Sequence, residues 1–401
     1  MLAATVRVTR DLDAAEEAVQ DAYVAALEAW TRDGVPARPG AWLTTAARRN
    51  ALNAIARRRT LQGKLPLLLE PDDAAPHDTT ADGGSDDDAG AIPDDRLRLV
   101  FTCCHPALSQ EAQIALTLRL VCGVATADVA QAFLVAEATM AARITRAKKK
   151  IAAASIPYAV PSAAELPARV DAVLTVIHLL YAAGHAAHSG EQLVRDELTG
   201  RALDLARMLR LLLPEDREVA GLLALLLVHH ARRATRTDAD GRLLRLEQQD
   251  RSAWERAPIA EADRLIVASL RGGPPGRFTL QAAIASLHAH ASSYAETDWP
   301  QILTLYDELL RIWPSPVVAL NRAVALSMVD GPAAALAEVE AIERDGRLAG
   351  YRYLPATKAE LLHRLGRDAE AVGAYRAALA ISDNAVEQEF LAERIRSAPV
   401  T

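Results

Sequence analysis

The chain has 401 residues and a formal net charge of −7, from 45 Lys and Arg against 52 Asp and Glu. Hydrophobic residues make up 51% and aromatic residues only 4%, which favours an all-α protein and excludes a chain that is disordered throughout. Three cysteines exclude a disulfide scaffold and fit the cytoplasm, and the sequence predicts neither a membrane span nor a secretory signal.

Charge is distributed in blocks along the chain. Residues 43–64 hold six Lys and Arg and no acid, whereas residues 70–95 hold ten Asp and Glu and no Lys or Arg. Residues 96–151 are basic again, with eight Lys and Arg against three acids. This pattern predicts two basic modules, 1–62 and 94–155, joined by an extended, self-repelling acidic linker over 63–93.

The first module is predicted to contain two or three helices. Small and apolar residues recur at helical spacing from Ala14 to Leu27, with Asp11 or Asp13 as the N-cap. A second helix runs from about Pro39 to Arg59 and combines arginines, amides and an aromatic ring. That mixture suits a melted DNA strand, although the arginines at its end also fit a solvated helix C-terminus.

The second module has the pattern of a helix-turn-helix, with helices at 110–121, 126–133 and 137–151 and a turn at 134–136. The expected buried positions are Val129, Ala130, Phe133, Met140 and Ile144. A major groove would be read by the start of the last helix, through Glu137, Ala138, Thr139, Ala142 and Arg143. DNA phosphates would be contacted by Arg146, Lys148 and Lys149. The alternative is an ordinary helical hairpin with a solvated basic end.

The rest of the chain is predicted to be helical. No repeat is visible over 156–280. Over 281–401, residues 366–379 (GRDAEAVGAYRAAL) match the second helix of a tetratricopeptide repeat, and similar apolar pairs precede them at a spacing close to the 34 residues of that repeat. These pairs are Leu336 with Val339 and Leu303 with Tyr306. The alternative is a non-repeating helical domain with chance periodicity.

No catalytic or metal site is predicted. The chain lacks a Walker A motif, GxGxxG, HExxH and GxSxG, and no nucleophile and base can be paired, so we expect no enzyme and no cofactor. We expect the Cys103-Cys104-His105 run and Cys122 to be buried at a helix start, since adjacent cysteines are poor partners for one zinc ion. His178, His185, His188 and Glu191 form a weaker ligand candidate, and His229-His230 is expected to be a basic helix end.

Several of these motifs resemble one protein family. Residues 11–23 (DLDAAEEAVQDAY) and 39–53 (PGAWLTTAARRNALN) are similar to region 2 of extracytoplasmic-function sigma factors in the sigma-70 superfamily. Residues 98–108 (RLVFTCCHPAL) and 136–141 (AEATMA) resemble region 4. Residues 237–241, 247–251 and 315–325 resemble the tail of a subgroup with a C-terminal tetratricopeptide-like domain.

The resemblance implies a transcription initiation factor with two main partners, core RNA polymerase and promoter DNA. Region 2 would dock on the β′ clamp through Glu17, Gln20, Asp21 and Val24. Its next helix would capture the −10 strand through Trp42, Arg48, Arg49, Asn50, Asn53 and Arg57. Region 4 would sit on the β flap and place the 137–149 segment in the −35 major groove. Relatives usually have a further helix before the segment that begins at Leu2, so we expect either a start upstream of Met1 or an N-terminally short region 2. Asn53 stands where relatives commonly have Asp.

Two other functions fit parts of the pattern: a helix-turn-helix regulator with a helical sensor domain, and a tetratricopeptide scaffold. The two separate basic modules disfavour both alternatives. The C-terminal repeats are expected to regulate activity through a protein partner or an intramolecular contact. Residues 180–185 (LYAAGH) depart from the Phe-Asn-Glu-Gly-Tyr common in relatives, so no family role is carried over to His185 or His188.

Overall fold

A computed structural model describes residues 1–64, 95–133, 135–162, 164–187 and 189–398. These residues form two compact units. The first comprises Met1–Val129 and Glu137–Val173, and the second comprises Ala130–Ala136 and the chain from Leu174 onward. Residues 65–93 of the predicted acidic linker lie outside the described residues, as does His188.

The predicted all-α class is confirmed. The first part of the chain forms helices α1 (Leu2–Thr9), α2 (Leu12–Asp33), α3 (Pro39–Lys64), α4 (Asp95–Cys103), α5 (Gln110–Leu120), α6 (Thr126–Ala132), α7 (Glu137–Ala153) and α8 (Leu166–His185). Within the described residues, no helix is both long and apolar enough to cross a membrane.

A stripe of alanines packs α2 against α3. The Asp11 side chain caps α2 by accepting a hydrogen bond from the Ala14 amide at 2.9 Å, which confirms one of the two predicted caps. Apart from Leu12 in its first turn, the buried residues of α2 are all alanines, and Ala47 and Ala51 of α3 are buried as well. The alanines of α2 are Ala15, Ala18, Ala22 and Ala26. Small side chains let the two backbones approach closely, while the larger Tyr23, Val24 and Leu27 of α2 stay exposed.

Helices α5 and α7 pack together in a core that includes the fully buried Phe101, Leu116 and Met140. Arg169 of α8 reaches this core and donates a hydrogen bond to the Phe101 carbonyl at 3.1 Å. The predicted order of short helix and longer helix is found in α6 and α7, with Phe133, Val135 and Ala136 outside both helices. Four of the five residues predicted to be buried are buried, whereas Phe133 is partly exposed.

The remaining chain forms a second run of helices. They are α9 (Asp196–Leu212), α10 (Arg217–Ala231), α11 (Arg256–Arg271), α12 (Arg277–His290), α13 (Trp299–Ile312), α14 (Pro316–Val329), α15 (Pro332–Asp345), α16 (Tyr353–Arg364), α17 (Asp368–Ala380) and α18 (Ala385–Ser397). Two short strands, β1 (Ser189–Gly190) and β2 (Asp383–Asn384), pair in parallel. Helix α10 is buried almost throughout and packs on α11 and α12.

From α13 to α18, each helix packs on the next along the chain. The sequence-derived pairs fall on every second helix, with Leu303 in α13, Leu336 in α15 and Val372 in α17. Apolar clusters form around Ile302 and around Val339. This arrangement agrees with repeated helical pairs, while the tetratricopeptide assignment and the domain boundaries stay predictions.

Gly221 of α10 lies where a side chain would collide with α12. A Cβ atom there would come within 2.6 Å of the Thr279 backbone nitrogen, so we expect Gly221→Ala to destabilise the fold by about 1–3 kcal/mol. Gly200 in α9 has open space around its Cβ position, so Gly200→Ala is expected to stabilise by about 0.5–1 kcal/mol. Thermal unfolding midpoints of the two variants should therefore move in opposite directions; a fall for both would contradict this explanation.

Candidate nucleic-acid and polymerase interface

The outward face of α2 carries the predicted polymerase contacts. Glu17, Gln20, Asp21 and Val24 are all exposed and lie opposite the buried alanines. Next to them stand two large apolar side chains, Tyr23 and Leu27, which are 51% and 71% exposed. Neither Tyr23 nor Leu27 was predicted from the sequence as a candidate contact. Large apolar residues at positions away from the stripe of alanines could have indicated them. An exposed apolar patch rimmed by polar residues is typical of a protein-binding surface.

Helix α3 presents a basic outward face. Arg48, Arg49, Asn53 and Arg57 are exposed, and the spacing of these four residues places them on one side of the helix. None of the three arginines forms an ion pair with another described residue. Uncompensated arginines on one face can neutralise nucleic-acid phosphates.

Two predicted −10 contacts of α3 are engaged with α2 instead of standing free. The Asn50 amide donates a hydrogen bond to the Ala18 carbonyl at 3.4 Å. The Trp42 ring is partly buried and packs edge-on against Trp30, with ring centroids 5.7 Å apart. The structure therefore groups the arginines and Asn53, and turns Asn50 toward the protein.

The first turns of α7 present small and polar side chains to solvent. Glu137, Ala138, Thr139, Ala142, Arg146 and Lys149 are exposed. Met140, Ile144, Ala147 and Ile151 are buried on the opposite side. Six of the eight predicted −35 contacts therefore share one accessible face. Small residues at the start of such a helix allow close approach to base edges.

The other two predicted −35 contacts are paired within the protein. Arg143 lies 3.1 Å from the Glu111 carboxylate. Lys148 is only 14% exposed and lies 3.1 Å from Asp13, and it also donates to Glu16. Burial lowers the pKa of Lys148, but hydrogen bonds and charges from Glu16 and Asp13 outweigh this and raise the pKa overall. In this conformation Lys148 binds α2.

Further contacts join the same two modules. The Tyr158 hydroxyl lies 2.8 Å from the Ala3 carbonyl and 2.7 Å from the Asp95 carbonyl. Arg119 of α5 lies 3.9 Å from Glu16. The module that carries α2 and α3 therefore contacts the module that carries α7. Glu16 of the first module pairs with two basic residues of the second, Arg119 and Lys148.

Comparison with known families assigns both modules. Residues 2–60 match Sigma-70 region 2, and residues 98–151 match Sigma-70, region 4. Residues 169–270 match a family of unknown function, DUF6596. An uncharacterized protein of Rhizobium meliloti (strain 1021), R00370, is 44% identical over 393 residues, which cover 97% of this chain and 91% of that protein. The chain belongs to the sigma-70 family. It is an extracytoplasmic-function-like sigma factor with a C-terminal extension.

In this sigma factor, region 2 corresponds to α1–α3 and region 4 to the segment from α4 to α7. The matches support a role in promoter recognition, with core RNA polymerase and promoter DNA as partners. They do not reach the level of single residues, so the individual polymerase, −10 and −35 contacts stay predictions.

The cysteines of the sigma factor are buried, but not at a helix start. Cys103 ends α4, and Cys104 follows it. The Cys104 sulfur lies 3.7 Å from the Thr117 hydroxyl, and burial raises the pKa of this thiol to about 12. Across the described ranges, no group of three or more His, Cys, Asp or Glu side chains is placed to hold a metal ion.

The predicted basic helix end at His229-His230 is confirmed in position only. Both histidines lie in the last turn of α10. Burial and the charge of Arg232 lower the pKa of His229 well below its ordinary value, so this imidazole is neutral at pH 7. His229 therefore adds no positive charge to this helix end at neutral pH, because the segment is half-buried.

Proposed function

We propose that this sigma factor binds core RNA polymerase through the outward face of α2 on the β′ clamp and through region 4 on the β flap. It then directs initiation at promoters whose −10 and −35 elements are read by α3 and α7. The observation that carries the proposal is the pair of basic outward faces, on α3 and α7, each backed by a buried apolar face. A factor that reads two elements needs two such surfaces.

The same proposal covers the location and the tail. The sigma factor acts in the bacterial cytoplasm, where polymerase and promoter meet, and acts by binding rather than by catalysis. The helices from α9 to α18 regulate its activity through a protein partner or an intramolecular contact. The successive packing of α13 to α18 supports this, since stacked helical pairs form extended binding surfaces.

In vitro transcription with core polymerase tests the proposal. We expect the full chain to produce specific transcripts from the promoter of its own gene or of a neighbouring gene. Arg146→Ala with Lys149→Ala should lower the yield about tenfold, because two phosphate contacts are lost. Both residues are exposed, so the fold should be unaffected.

The matched control is Arg264→Ala with Arg271→Ala, which removes the same charge from exposed positions of α11. Its transcript yield should stay within twofold of the unmodified chain. If the transcript yield fell equally in both double variants, the loss would be due to the change in net charge and not to the exposed face of α7. An absence of specific transcripts together with an absence of core binding would overturn the proposal.

A further inference from the structure

Two arginines in the C-terminal part lack a counter-ion. Arg232 follows α10, and Arg236 lies one turn further along. Among the described residues, neither guanidinium takes part in a hydrogen bond or ion pair, and the Arg232 Nε and Arg236 Nη1 atoms are shielded from solvent without a partner. Unpaired buried cations are costly. Both side chains are half-buried, and a fold that keeps two such unpaired cations one turn apart has a place for an anion.

The surrounding charges do not supply that anion. Burial lowers the pKa of both arginines, and the charge of Arg236 contributes to lowering the pKa of Arg232 to about 10. The carboxylate that acts on Arg236 is Glu387. That carboxylate is already held by Arg352 at 2.5 Å and by the Tyr353 hydroxyl at 2.8 Å. It is therefore occupied by another cation.

Further donors without partners converge on the arginines. The Tyr181 hydroxyl and the Nδ1 atoms of His185 and His229 are buried with no hydrogen-bond partner in the described part of the chain. The His185 ring lies 5.2 Å from the His229 ring and 5.6 Å from the Tyr181 ring. Burial and the arginine charges lower the pKa of both histidines well below the ordinary value. Each neutral imidazole keeps one N–H to donate.

A cavity of about 210 Å³ lies in the same unit, although none of Arg232, Arg236, Tyr181, His185 and His229 lines it. Its lining includes His288 and Tyr306, and both residues interact electrostatically with Arg232. Burial and the Arg232 charge lower the pKa of His288 to about 4. The wall of this cavity therefore carries a neutral imidazole and a hydroxyl within electrostatic range of Arg232.

We propose that Arg232 and Arg236, together with Tyr181, His185 and His229, bind a phosphate dianion, either free or as the monoester of a small molecule. Two guanidiniums balance two negative charges, and their forked N–H groups fit tetrahedral oxyanions. The extension of this sigma factor would then hold a ligand site of its own. Binding at this site does not depend on the proposed promoter contacts.

The test measures thermal unfolding of the full chain in inorganic phosphate and in sodium chloride of the same ionic strength. We expect phosphate to raise the midpoint by about 3 °C or more, since a ligand that binds only the folded state stabilises it. Arg232→Gln and Arg236→Gln should each abolish that rise. Arg264→Gln, at an exposed position of α11, should retain it.

A second readout separates ligand binding from a structural role. Without phosphate, Arg232→Gln should unfold at the same temperature as the unmodified chain or higher, because it removes an unpaired buried charge. If that variant fails to fold, Arg236→Gln provides the same comparison. Glycerol phosphate forms a second arm, in which a rise at lower concentration than inorganic phosphate identifies a monoester as the ligand.

Three outcomes would overturn the proposal. One is the absence of a phosphate-specific rise in the unmodified chain. Another is an equal rise in both arginine variants and in the unmodified chain. The third is a lower midpoint of both variants without phosphate, which would assign the arginines to the stability of the fold. None of these outcomes bears on the transcription assay, so the two proposals fail separately.

Discussion

Val24→Asp together with Leu27→Asp is expected to weaken binding of this sigma factor to core RNA polymerase by at least about 100-fold, which corresponds to about 2.7 kcal/mol. Both side chains stand on the outward face of α2, 57% and 71% exposed. If that face docks on the clamp, an aspartate there must be desolvated in an apolar contact without a partner. Central apolar residues commonly dominate such interfaces.

The fold should tolerate this double change, because both positions lie off the buried alanine stripe of α2 and exposed substitutions cost little. Leu211→Asp is the matched control, since Leu211 on α9 is 83% exposed. Competition binding with labelled core polymerase measures the effect, and circular dichroism checks that the helices remain. Core affinity within threefold of the unmodified chain would remove the α2 face from the proposed interface.

The helices were predictable because their signals are local. Asp11 caps α2 through its own side chain, and the alanine spacing that continues to Ala26 identifies the buried face. Gly123 separates α5 from α6 with a φ of +69°, in the left-handed region that favours glycine. Arg48, Arg49, Asn53 and Arg57, which the sequence predicts as −10 contacts, are all exposed in the structure.

What the sequence could not predict is which charges meet across long separations. Lys148 was predicted to contact a DNA phosphate, but it pairs with Asp13, which is 135 residues away in the sequence. The helix end at His229-His230 was predicted to be basic, but burial lowers the pKa of the adjacent Arg232 to about 10. Asn50 was predicted to contact the −10 strand, but its amide donates a hydrogen bond to the Ala18 carbonyl. In each case tertiary packing decides the environment of a polar side chain that local spacing treats as exposed.

The ion pairs between α2 and α7 lead to the second major prediction. Glu16 accepts a hydrogen bond from Lys148, and both side chains are mostly buried, 19% and 14% exposed. Glu16→Lys would replace this attraction with repulsion from Lys148 and from Arg119. Breaking a buried pair costs about 3–5 kcal/mol. We therefore expect the equilibrium between paired and separated modules to shift by at least about 100-fold toward separation.

Separation should increase the affinity of the free sigma factor for a promoter duplex, because it releases Lys148 for phosphate contact and raises the binding-competent fraction. We expect a gain of more than tenfold for Glu16→Lys in fluorescence anisotropy with a labelled −35 duplex. Glu28→Lys adds the same charge at an exposed position of α2 and measures the non-specific part of the gain. If Glu16→Lys and Glu28→Lys bind the duplex equally well, the contact between α2 and α7 does not restrain region 4.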